Sequence, residues 1–147
     1  MQAGPTSLRR IRRFRVRAPS GEEAHRARIT LEDALHTASL PWADSRRLLV
    51  IRRLRLGRLA AGLSSMHLAR RIEQILREVV AEAVPAGAPQ ADDAPAVFFE
   101  DALSVFGAAA RRLALGRDLS AWYWTRVLPG WEPGLVGTAA WGRLVAL

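Results

Sequence analysis

An α+β, helix-rich fold is what this sequence predicts: a basic β-α-β-α unit with a two-stranded sheet, followed by a Trp-rich helical segment. Three observations lead there. The pattern apolar–Arg–Arg–apolar–Arg–apolar occurs twice, as IRRFRV at 11–16 and IRRLRL at 51–56. A helix-periodic stretch follows each copy. Four of the five Trp residues fall within 122–141, beyond a stretch rich in Pro and Ala. A chain of 147 residues fits one compact domain, or a small domain with an appendage.

The first copy reads as a strand. Phe14 and Val16 share one face, Arg13, Arg15 and Arg17 the other, and this period-two alternation marks a half-buried strand. A helical reading, with Leu8, Ile11 and Phe14 three apart, competes; the β-branched and aromatic content favours the strand. Ser20, with Glu23 three residues on, is a capping-box signature. Ala24, Ala27, Leu31, Ala34, Leu35 and Ala38 then form one apolar helical stripe, and Pro41 stops it. In the second copy Leu54 and Leu56 alternate with Arg53 and Arg55, after the apolar lead-in Leu48, Leu49, Val50 and Ile51. Gly57 and Gly62 break the pattern, Ser64 or Ser65 caps a second helix, and Leu68, Ile72, Ile75, Leu76, Val79 and Ala83 are its stripe. The crossover helix allows the two strands to lie parallel and side by side, with both helices on the face of Phe14, Val16, Leu54 and Leu56.

That arrangement places residues 1–84 in a basic domain. The stretch VPAGAPQADDAPA (84–96) reads as a linker over 85–96, with Asp92 and Asp93 as solvation, and 97–147 as the Trp-rich segment. There, VFFEDALSVFGAAARRLALG predicts a helix with Phe98 or Phe99, Ala102, Leu103, Phe106, Ala109 and Leu113 as its stripe. Glu100 and Asp101 sit in its first turn, and Gly116 stops it. Asp118 caps a short helix, LSAWYWTRVL, which Pro129-Gly130 ends. Trp122, Tyr123, Trp124, Trp131 and Trp141 are the aromatic candidates for a core or a partner contact. Trp122 and Trp124 are two apart, so on a helix at most one faces the local core. The apolar run at the end, with Trp141, Leu144, Val145 and Leu147, is expected to dock on Phe98, Phe106 and Trp122 or on another subunit.

Charge divides unevenly. Residues 1–60 carry 14 Arg against five acids, a net of +9; residues 61–147 carry eight Arg against nine acids, a net of −1. Such asymmetry points to an anionic partner: nucleic acid, an acidic protein surface or a membrane face. Arg13, Arg15, Arg17, Arg53 and Arg55 form the candidate partner-binding face. Either they are a solvated face with Arg stems along the sheet, or they meet a partner. All 22 basic residues are Arg, which a GC-rich bacterial genome also produces, so the Arg count alone says less than its placement.

The absence of Cys excludes a disulfide framework and thiolate zinc sites, and makes the cytoplasm the expected compartment. The pair Arg9-Arg10 lacks a following apolar core, so no cleaved signal is expected; no stretch is long and apolar enough for a membrane span. His25, His36 and His67 lie in no His-x-x-x-His or Glu-x-x-His spacing, and no phosphate loop or nucleophile elbow occurs. Neither a metal nor a cofactor is expected, and the chain reads as a non-enzyme.

The segments RIRRFRVRAP, EEAHRARITLEDAL, LLVIRRLRLGRL and HLARRIEQILREVV, with the LRLG turn at 54–57, resemble the N-terminal region of tape-measure-type proteins of phage-tail-like contractile injection systems. Arg53 and Arg55 stand where that family tends to carry acids, and the long helical middle is missing. The resemblance implies a small accessory or adaptor. Two function classes follow: a non-catalytic structural protein that binds proteins of an assembly or its own copies, and an Arg-rich nucleic-acid-binding protein using residues 8–58.

Overall fold

The structure is a computed structural model that describes residues 10–41 and 45–146. It is α+β and helix-rich, with five helices and three short strands among those residues. They form two compact units. The first comprises residues 1–45 and 55–78, the second residues 46–54 and 79–147.

In the first unit, helix α1 (Gly21–Thr37) starts where Ser20, in extended backbone, accepts the Glu23 N–H at 3.2 Å. Glu22 and Glu23 in the first turn favour the helix dipole, and His36 lies in the last. The exposed pairs Glu22–Arg26 and Arg28–Glu32 span one turn each and contribute little, about 0.3–0.5 kcal/mol apiece. Leu31, Ala34 and Ala38 are buried, as the stripe predicts. Helix α2 (Ser65–Ala81) starts beside Ser64, whose Oγ accepts the His67 N–H at 3.4 Å. Its Leu68, Ala69, Ile72 and Leu76 are buried. Ser39, just past α1, donates its N–H to Glu73 Oε1 on α2 at 2.7 Å. Gly57 has φ +72, a left-handed backbone conformation that favours glycine; a Cβ there would meet only the flexible end of Arg71, at 2.9 Å.

Residues 11–17 correct the sequence reading. They form no strand, and Phe14 and Val16 are 40% and 39% exposed rather than covered by helices. Of the second copy only Ile51 lies in a strand: β1 (Leu48–Ile51) is formed by the apolar lead-in and ends before Arg53 and Arg55. The physical reason lies in the alternative partners. A two-stranded ribbon is marginal, and pairing 13–17 with 53–55 would line up five guanidinium groups on one face. The apolar strand β3 (Ala96–Phe99) carries no such charge, and it is what pairs with β1.

The second unit is built on that pairing. The sheet order is β1-β3-β2, with β1 antiparallel to β3 and the two-residue β2 (Val84–Pro85) parallel to it. The register sets Leu48 opposite Phe99 and Ile51 opposite Ala96. Residues 85–96 are thus no linker: they supply part of β2 and run through successive turns into β3, with Ala86, Ala91, Ala94 and Ala96 buried. Alanine, which reads as linker composition, here lets the backbone approach the core closely.

Helix α3 (Ala102–Ala114) starts five residues later than the pattern suggests, because β3 takes Phe98 and Phe99. Asp101 is its N-cap. The Asp101 carboxylate accepts the Ser104 N–H at 2.7 Å, and Ser104 Oγ accepts the Asp101 N–H at 3.1 Å. Its buried stripe is Val105, Ala109 and Leu113; Leu103 and Phe106, predicted inside, are exposed. This helix is apolar on most sides, so periodicity alone does not fix its inward face. Gly116 at φ +71 ends it, with Arg117 N–H bonded to Arg112 O at 3.0 Å. After the short α4 (Trp124–Val127), helix α5 (Gly137–Val145) packs on α3 through buried Ala140 and Leu144. The core joins Val50, Val97 and Phe99 of the sheet to Leu119, Tyr123, Trp124 and Leu128.

Candidate partner-binding surface

Arg13, Arg15 and Arg17 are exposed in the first unit, in a segment without regular structure, and alternate with the partly exposed Phe14 and Val16. Arg55 is exposed in the same unit; Arg53 is exposed in the second. No carboxylate among the described residues pairs with any of these five. Strand pairing does not gather them on one sheet face, since β1 pairs with β3. What remains of the predicted face is a basic segment, 10–17, with apolar side chains between its arginines.

The aromatic candidates divide by role. Tyr123, Trp124 and Trp131 are buried in the core of the second unit. Phe99 meets Tyr123 and Trp124 edge-on, with ring centroids 6.2 and 5.9 Å apart. Such pairs add about 0.5–1.5 kcal/mol each to the burial itself. Trp122 is half-buried, and the guanidinium carbons of Arg52 and Arg126 lie 6.0 and 5.5 Å from its ring centroid. Trp141 is 39% exposed on α5. Among the residues expected to dock with it, Leu144 is buried, Val145 is 85% exposed, and Leu147 lies outside the described residues.

Around Tyr123 lies a network that the sequence did not announce. Arg112 binds Asp92 through both terminal nitrogens, at 2.9 and 2.6 Å, and donates from Nε to the Asp118 carbonyl at 2.7 Å. The single proton of the Tyr123 hydroxyl lies between the Ala86 carbonyl at 3.1 Å and Asp92 Oδ1 at 3.2 Å. The Arg112 bond holds the Asp92 carboxyl below its ordinary range, and the Asp92 bond raises Arg112. Burial, then the Asp92 charge, pushes Tyr123 up to about 12. Asp118 is lowered by hydrogen bonds from Ser120. The one signal in the sequence was a charged pair, Asp92-Asp93, inside an otherwise small and apolar stretch.

Two depressions in this unit hold about 100 and 160 Å³. Small-molecule sites are commonly ~300 Å³ or more. Among the described residues no group of three His, Cys, Asp or Glu is placed to hold a metal ion, and no helix is long and apolar enough to cross a membrane. Comparison with protein-family models, curated proteins and solved structures finds no match for this chain.

Proposed function

We propose that this chain is a non-catalytic structural adaptor, acting in the cytoplasm, that binds other proteins within a larger assembly of the contractile injection type. The observation that carries this is the segment 10–17, where exposed arginines interleave with exposed Ile11, Phe14 and Val16, and where Arg13, Arg15 and Arg17 have no carboxylate partner among the described residues. Exposed apolar side chains beside exposed positive charge suit a protein surface that supplies both acids and apolar contact. The titratable groups support the non-catalytic part. Asp92, Arg112, Asp118 and Tyr123 have shifted pKa values, and each is occupied in hydrogen bonds within the fold.

A second reading, single-stranded nucleic-acid binding, is favoured by Phe14 between Arg13 and Arg15, a side chain that can stack on a base beside phosphate contacts. Purification at low salt separates the two. A clean protein absorbance ratio, with the chain recovered in a defined protein complex, supports the adaptor. Retained nucleic acid that leaves only at high salt, with no protein complex formed, overturns it.

A further inference from the structure

The hydrogen-bonding pattern of β1 leaves one side of it free. Arg52 donates its N–H to Pro95 O at 2.9 Å, which continues the β1–β3 register by one pair. Hydrogen-bonded and non-hydrogen-bonded pairs alternate in an antiparallel ladder, so Val50–Val97 and Leu48–Phe99 are the bonded pairs. Phe98 confirms the phase from the other side, since its carbonyl accepts from Ala86 N–H at 3.0 Å, towards β2. Leu49 and Ile51 therefore turn their N–H and C=O away from β3. Among the described residues nothing hydrogen-bonds them there, and both residues are only half-buried.

Charge brackets this edge. Arg46 and Arg47 precede β1, and Arg52 and Arg53 follow it. The second unit holds nine Arg against seven acids; without these four it holds five against seven, so its positive excess is concentrated at the two ends of one strand. Arg47 is bonded to Glu100 at 3.2 Å, and Arg52 lies over Trp122. Arg46 and Arg53 are exposed and have no carboxylate partner among the described residues. This pattern opposes self-pairing: two copies joined edge to edge about Val50 would set Arg47 of one against Arg53 of the other.

We infer that the open edge of β1 takes a strand from a partner protein, an extended segment with acidic residues at both ends and apolar alternation between them. Main-chain bonds to Leu49 and Ile51 supply the binding, and Arg46 and Arg53 select the acids. The inference rests on the adaptor reading and adds to it a site and a partner chemistry.

The test uses the full chain and a fluorescent synthetic peptide of alternating Val and Thr with two Glu at each end, followed by anisotropy. The expected result is binding that weakens with salt, that fails when the terminal Glu are replaced by Lys, and that fails when the edge-facing peptide nitrogens are methylated. Leu49→Pro removes an outward N–H, which an edge strand tolerates, and should abolish binding without lowering the melting temperature. Arg46→Glu with Arg53→Glu, both exposed, should weaken it roughly tenfold or more. Undiminished binding by the Lys-ended peptide, the methylated peptide or the Leu49→Pro chain overturns the inference. So does a wild-type dimer that Leu49→Pro dissolves, which would make a second copy the occupant. Should an oligonucleotide displace the peptide and still bind the Leu49→Pro chain, the arginines are phosphate contacts and the inference fails. If the peptide never binds but the chain enters a protein complex, the edge inference falls and the adaptor reading stands. A chain that enters no protein complex removes the adaptor reading itself.

Discussion

Asp92 sits among Ala, Pro and Gln, yet its carboxylate holds Arg112 and faces the Tyr123 hydroxyl. A carboxyl whose folded-state pKa is lowered takes up its proton more readily in the unfolded chain as pH falls. Its stabilising effect is therefore complete above the unfolded value and lost as pH drops through the folded one. Asp118 acts in the same direction and the same window. The melting temperature should fall below about pH 4, and Asp92→Asn should make that fall shallower while lowering stability at neutral pH. A thermal melt series from neutral to acid pH measures both. Tyr123 has the opposite sense. Its pKa is raised to about 12, so the neutral phenol is the form the fold prefers. That contribution is complete below an ordinary tyrosine value of about 10 and is lost as pH rises through the folded value. Tyr123→Phe should cost about 0.5–1.5 kcal/mol at neutral pH, the net worth of one hydrogen bond, and should remove part of the alkaline loss. Chemical denaturation of both proteins at neutral and alkaline pH checks it.

Helix α5 illustrates how an amphipathic element is shared between a core and the solvent. Ala140 and Leu144 lie four apart and are buried; Val145, one residue on, points outward. Gly130 at φ +74 lies against Arg143, which donates from Nε and Nη2 to the Gly130 carbonyl at 3.2 and 2.8 Å. The helix is thus fixed by two small apolar contacts and one charged hydrogen-bond pair. Deleting residues 138–147 should lower the melting temperature by several degrees, because exposing that face of α3 costs on the order of 2–3 kcal/mol. A deletion variant that melts like the full chain would show that α5 contributes nothing to the fold. On α3 itself, the Asp101–Ser104 capping box fixes where the helix begins, and the sheet decides which face turns inward.

At the scale of the chain, folding redistributes charge. The two sequence halves carry +9 and −1, whereas the two compact units carry 13 Arg against seven acids and nine against seven. The cause is β1, which takes Arg46, Arg47, Arg52 and Arg53 into the second unit. The excess in the first unit is carried by residues 9–17, so salt-sensitive binding should depend on them. Changing Arg13, Arg15 and Arg17 to Glu should weaken any such binding at least tenfold at low salt and flatten its salt dependence, since exposed charges are screened over about 10 Å at 0.1 M salt. The same chain should melt unchanged, because these side chains are exposed and bear no carboxylate contact among the described residues. Affinity that survives this reversal and disappears on substitution of Trp141 would move the binding surface to α5.

Local signals determined α1, most of α2 and the end of α3. They did not reveal where α3 begins, which face it buries, or α4, which covers only Trp124–Val127 of the expected LSAWYWTRVL and is not capped by Asp118. Ser20 with Glu23, the stripe through Leu31 and Ala34, the stripe through Leu68, Ile72 and Leu76, and the stop at Gly116 all act within a turn or two of the chain, and each appears where the residues place it. Strand pairing was decided only in three dimensions. The residues 13–17 and 53–56 alternate alike, but a strand needs hydrogen-bond partners from elsewhere in the chain, and the alternation does not say which segment supplies them. Val97 and Phe99, read as the start of a helix, supplied the partner strand because they bury apolar area against β1 without opposing its arginines. The same choice drew residues 85–96 into the core, brought Asp92 to Arg112 and Tyr123, and left Leu49 and Ile51 facing outward between two pairs of arginines.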